Sequence, residues 1–86
     1  MPDSAEMPKY KCHKEVWALK IKSIDAQKDG RVLITPEESE YAPFEVHAGF
    51  MMRNSPMVGG YYVVYKDGYT SYSPASAFEE GYTRIN

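Results

Sequence analysis

From Tyr61 the chain reads Tyr-Tyr-Val-Val-Tyr-Lys-Asp-Gly-Tyr-Thr-Ser-Tyr, two β-favouring runs around Asp67-Gly68. An Asp-Gly pair in that setting is the strongest short-range signal for a β-hairpin. A type I′ turn needs positive φ at both central residues, which glycine adopts freely and aspartate tolerates. A two-residue turn also sets the register, with Lys66 opposite Tyr69, Val64 opposite Ser71 and Val63 opposite Tyr72. One face then presents Tyr61, Val63, Tyr65, Thr70 and Tyr72, and the other Tyr62, Val64, Lys66, Tyr69 and Ser71. Both faces are aromatic, and neither carries a recognisable catalytic group.

Upstream, Glu15 to Ile24 alternates, with Trp17, Leu19 and Ile21 on one side and Ala18, Lys20 and Lys22 on the other. That pattern predicts a half-buried strand with a lysine-bearing solvent face. Asp25–Gly30 is a turn, and Arg31–Thr35 a return strand ended by Pro36, which lacks the amide that a ladder requires. Pro36 to Pro43 is an acidic, proline-bounded loop, and Phe44–Val46 a brief extended segment. His47–Asn54 has helical spacing, with Val46 and Phe50 on one face, and Ser55-Pro56 stops it. Ser73 as cap, Pro74 at the first helical position and Gly81 as a left-handed terminator predict a second short helix. Tyr82–Ile85 then returns as an edge strand. The order predicts an α+β fold: a curved, mostly antiparallel sheet of about five strands with two short helices. Residues 1–9 are expected to be a disordered tail, and 10–86 a single small domain. Trp17 is expected to be buried with Leu19, Ile21 and Phe78.

Eighty-six residues and a net charge of −2 allow one small domain with no global attraction to nucleic acid. Cations crowd residues 9–31, whereas Glu37, Glu38, Glu40 and Glu45 make the next stretch acidic. The single cysteine, Cys12, permits no internal disulfide, which fits a reducing compartment. Cys12, His13 and His47 cannot make up the four ligands of a structural zinc site without carboxylates. No apolar run reaches the ~20 residues of a membrane span, and no signal peptide opens the chain. The expectation is a soluble, intracellular protein without cofactor or metal.

Catalysis has no evident carrier. Cys12 and His13 are adjacent in a strand lead-in, so their side chains point to opposite faces. The glutamates of the 36–43 loop lack the burial that raises a carboxylic acid's pKa. Gly59-Gly60 is followed by neither a Lys-Ser/Thr pair nor a helix, so it is not a phosphate loop. Eight tyrosines, by contrast, exceed what so small a core can hide with satisfied hydroxyls. Exposed tyrosine offers a large contact area with few torsions, the property that favours it in recognition, although tyrosine also suits pleated strands.

Several stretches together resemble a group of small, uncharacterised proteins of tailed bacteriophages and prophages: Trp17-Ala18-Leu19-Lys20-Ile21, Ile34-Thr35-Pro36, Tyr41-Ala42-Pro43-Phe44, Pro56 through Tyr69, and Ser73-Pro74-Ala75 through Ile85. The resemblance implies origin and fold and carries no activity. Small prophage proteins include many that bind host or rival proteins, among them inhibitors of defence systems. The first expectation is therefore a non-enzymatic accessory protein, monomer or homodimer, that binds a protein partner of the bacterial host. Its contacts would come from Glu37, Glu38, Glu40 and Tyr41 of the acidic loop, or from Tyr62 and Tyr69 of the hairpin. The alternatives are a small-ligand or nucleotide binder stacking a base on Tyr62, Tyr69 or Tyr72, and a single-strand nucleic-acid binder using the aromatic sheet with Lys20, Lys22 and Lys66.

Overall fold

The alternating run at the start of the chain becomes the spine of the fold. In the computed structural model, which describes residues 7–11 and 15–85, a short strand β1 (Lys9–Lys11) precedes a twelve-residue strand β2 (Glu15–Ala26). One edge of β2 pairs β1 near its start and β3 (Val32–Pro36) towards its end, and the other edge pairs β5 (Tyr61–Val64). Strand β4 (Phe44–Val46) adds to β3, and β6 (Thr70–Ser73) to β5. Every pairing is antiparallel. Strands β2 to β6, within a sheet of seven strands, form a curled five-stranded unit with β4 and β6 as its edges, a partly open barrel. The last strand, β7 (Thr83–Arg84), pairs β1 and brings the two ends of the described chain together.

A bulge lets β2 serve both halves. Ile21 lies opposite Pro36 and Ser23 opposite Thr35, so Lys22 is an extra residue. The shift places Ile21 and Ile24, three apart in sequence, on the same inner face. There Ile21, Val32, Ile34 and Val46 are buried together with Phe50 of helix α1 (Ala48–Asn54), which plugs the barrel. The helix occupies the expected position, and Ser55, at φ 44°, ends it.

The opposite face of β2 is not solvent-facing, as the alternation predicts, but buried as well. Val16 and Ala18, with Tyr61 and Val63 of β5, lie under Phe78 of helix α2 (Ala75–Gly81). Phe78 therefore packs on the Ala18 side of β2, not with Trp17, Leu19 and Ile21. Trp17 itself is buried as expected. The start of α2 also differs from the expectation. Pro74 is the cap, Ser73 ends β6, and Gly81 lies within the last turn, with Tyr82 extended after it.

The register of the β5–β6 hairpin is one residue from the predicted one. Tyr65 N–H donates to Tyr69 C=O (2.9 Å) and Gly68 N–H to Tyr65 C=O (2.9 Å), so the loop holds three residues, Lys66-Asp67-Gly68. Gly68 is left-handed (φ 89°), and Asp67 Oδ1 accepts the Tyr69 amide. The three-residue loop sets Tyr62 opposite Tyr72 and Val63 opposite Ser71. Tyr72 thereby moves to the barrel face, since a slip of one residue exchanges the two faces of a strand. The β2–β3 hairpin repeats this chemistry at Lys28-Asp29-Gly30: Gln27 N–H donates to Arg31 C=O, Gly30 is at φ 87°, and Asp29 Oδ1 accepts the Arg31 amide. The recurring Lys-Asp-Gly tripeptide was the signal for a shared three-residue loop.

A Cβ at Gly68 would meet nothing within 4 Å, so its substitution cost is conformational alone. Gly68→Val is expected to lower stability by about 1–3 kcal/mol, because a β-branched residue reaches positive φ only with strain. A melting temperature equal to that of the parent would contradict this account of the loop.

Of the expected 1–9 tail, residues 1–6 lie outside the described residues. Met7 is half-buried and Pro8 buried. The Pro8 carbonyl accepts Ala18 N–H at 3.0 Å, and Lys9 opens β1.

Candidate functional site

The acidic loop is anchored at both ends of its first turn. Glu37 N–H donates to the Lys20 carbonyl at 2.8 Å, and Tyr41 N–H to the Glu38 carbonyl at 3.1 Å. Arg84 Nη1 of β7 reaches Glu38 Oε2 at 3.0 Å. Glu37 and Glu40 remain exposed, whereas Tyr41 turns inward. With Leu19, Ala42, Phe44, Tyr62 and Val64 it lines an apolar groove of about 340 Å³ at the mouth of the barrel.

Tyr41 and Tyr62 thus come together, but Tyr62 is a wall and not an open platform. Its ring lies 4.6 Å from that of Phe44 and 5.5 Å from that of Phe50. Burial pushes its hydroxyl above the usual tyrosine value, with a Thr70 hydrogen bond pulling the other way. Such an engaged ring offers little free face for stacking a base.

Tyr69 lies elsewhere, at the exposed tip of the hairpin. Its ring stacks on Tyr65 at 5.9 Å and borders an open cleft of about 480 Å³ with Glu15, Lys66 and Asp67. The Arg53 guanidinium, from α1, lies 5.9 Å from the Tyr69 ring and 6.0 Å from that of Phe50. This geometry suits a cation–π contact on each ring. Sequence reasoning missed Arg53, together with exposed Met52, Met57 and Val58 beside it in the chain. The available signal was apolar excess: once Phe50 and Met51 supply the inner face of α1, Met52 must point away from the barrel.

The lysines do not form a stripe. Lys20 Nζ pairs with Glu79 Oε2 at 3.0 Å on the α2 side, and the same oxygen accepts the Tyr61 hydroxyl at 2.8 Å. These two partners, Tyr61 foremost, hold the Glu79 carboxyl below its ordinary value. Lys22 sits at the bulge and Lys66 in the hairpin loop. On the far side, Arg31 bridges Asp29 (2.6 Å) and Glu45 (2.9 Å). The Arg31 hydrogen bonds lower the Asp29 carboxyl in the same way. Of the suggested metal ligands, Cys12 and His13 lie outside the described residues. Among the described residues no three His, Cys, Asp or Glu side chains are grouped to hold a metal. No described helix is long and apolar enough to cross a membrane.

No protein-family model and no curated protein matches the chain. Among solved structures it is similar to the monomeric form of the phage L decoration protein, determined in solution by NMR. The two share 33% sequence identity at a TM-score of 0.70, over 90% of this chain and 58% of the other. The chain therefore spans a little over half of that protein's length. The likeness bears out the expected α+β fold and is consistent with the phage origin implied by the sequence resemblance.

Proposed function

We propose that this chain is a non-enzymatic phage accessory protein that binds the shell of the phage particle. The carrying observation is the likeness to a phage decoration protein over nearly the whole chain, at an identity that supports more than a shared fold. It favours the particle over the host or defence protein that the sequence resemblance first suggested as partner. The geometry is compatible with such a role. Two unlike surfaces are candidates for the contact, the acidic loop with Glu37, Glu38, Glu40 and Tyr41 and the hairpin tip with Tyr69. Assembly would take place in the cytoplasm of the bacterial host.

The test mixes the purified full-length chain with purified heads of the phage that encodes it and sediments the mixture. Saturable co-sedimentation with a fixed number of copies per head is expected, and none with heads of an unrelated phage. Failure to co-sediment at any soluble concentration would remove the particle from this account. A reproducible turnover of nucleotide, peptide or phosphoester, lost on a single point change, would remove the non-enzymatic reading.

A further inference from the structure

We propose that the particle-facing surface is built by the outer side of α1, the turn after it and the tip of the β5–β6 hairpin, and that it recognises a carboxylate ringed by apolar side chains on the shell protein. This rests on the function proposed above and adds the location and chemistry of the contact.

Exposure is the first support. The most exposed large apolar side chains among the described residues are Met52 (83%), Met57 (68%), Val58 (62%) and Tyr69 (53%), all of which belong to this part of the fold. Methionine adapts its shape to a partner, and large apolar side chains left this exposed are available to one.

Rigidity is the second. Arg53 bridges the Phe50 and Tyr69 rings, tying α1 to the hairpin. Asn54 Nδ2 donates to the Phe50 carbonyl at 3.0 Å, while its Oδ1 accepts the Ser71 hydroxyl at 3.5 Å. Beyond Val58, Gly59 N–H donates to Ile21 C=O, and Ile21 N–H to Gly60 C=O, each at 2.8 Å. Little of this surface has to be ordered on binding, which lowers the entropic cost of association.

Charge selects the partner. Lys20, Arg31 and Arg84 each hold a carboxylate within the fold. Arg53 has none within ion-pair distance among the described residues, and its guanidinium is positioned by two rings. A planar, pre-positioned guanidinium accepts a carboxylate in a two-bonded fork. A second copy docking through the same surface would bring two such cations together. At the hairpin tip the Asp67 carboxylate already accepts the Tyr69 amide. The complementary surface is therefore acidic and apolar, and under the proposed function the shell protein supplies it.

Head binding by the full-length chain is compared with that of Arg53→Glu, of Met52→Ser with Met57→Ser, and of Glu37→Gln, Glu38→Gln and Glu40→Gln together, after circular dichroism and melting confirm each fold. The first two are expected to weaken binding about tenfold or more, and the third to leave it unchanged. Arg53→Lys should recover only part of the loss, since an ammonium lacks the fork. If Arg53→Glu disturbs the fold, Arg53→Gln takes its place. Parent protein that fails to bind heads overturns the proposed function and this surface with it. Parent protein that binds, with affinity indifferent to the Arg53 and methionine changes, leaves the function standing and overturns this surface. A loss confined to the glutamate triple overturns it in favour of the acidic loop. Loss of self-association in sedimentation velocity, with head binding intact, overturns it in favour of a second copy.

Discussion

Trp17→Ala is expected to leave the domain largely unfolded at physiological temperature. Trp17 is 2% exposed, on the same face of β2 as Leu19 and Ile21. It sits where β2 is flanked on both edges, opposite Lys9 of β1 and Val64 of β5. Truncating a buried tryptophan to alanine costs about 3–5 kcal/mol through lost transfer energy and the cavity left behind. A domain of this size has a total stability near the low end of the usual ~5–15 kcal/mol, because a short chain buries a smaller share of its surface. The loss thus consumes most of what holds the fold. Since Trp17 is the one tryptophan, the variant must be followed by far-UV circular dichroism during urea titration. A midpoint equal to the parent's, or parent fluorescence at the fully solvated wavelength, would contradict the burial of Trp17.

How much of this was legible follows from which interactions are local. The spine strand, the positions of both hairpin turns, α1 and the proline that ends β3 are set by short-range patterning, and the sequence reading finds them. The Asp-Gly pair alone does not set the register, because it serves a two-residue turn and also the last two positions of a three-residue loop. Only the repeat of the whole Lys-Asp-Gly tripeptide points to the latter. In both hairpins here the preceding lysine joins the loop. The two-sided burial of β2 was misread for a different reason. Lys20 and Lys22 dominate the even positions, yet Val16-Trp17-Ala18-Leu19 is a continuous apolar run, the mark of a strand covered on both faces. Only the placement of α2 decides which reading holds, and that is a tertiary fact. The candidate surfaces divide in the same way. The acidic loop is visible as a loop, but its Glu38–Arg84 pair joins residues far apart in sequence. The exposure of Met52, Met57 and Val58 likewise depends on the direction in which α1 enters the barrel.

Phe78→Ala should be comparably damaging, and for a reason specific to α2. The helix has seven residues, no side-chain cap, no acidic first turn and no basic last turn. A helix that short is not stable in isolation, so its docking must hold it. Phe78, 1% exposed, is its buried residue, packed between the Tyr61 ring at 4.2 Å and the Tyr82 ring at 4.4 Å. Removing it should cost about 3–5 kcal/mol and open the outer face over Val16, Ala18 and Val63. The Lys20–Glu79 pair and the Tyr61 hydrogen bond would remain, but exposed ion pairs contribute little. Glu79→Gln, which loses the charge and keeps the shape, should accordingly perturb the fold far less than Phe78→Ala. The damage should also spread, because Tyr82 leads directly into β7, whose pairing with β1 and ion pair to Glu38 depend on where α2 delivers the chain. Hydrogen exchange read residue by residue should then show protection falling in β1 and along the first half of β2 together with α2. Fast exchange confined to residues 75–81, with β2 protected as in the parent, would mean that α2 is a detachable cover and the barrel alone carries the stability.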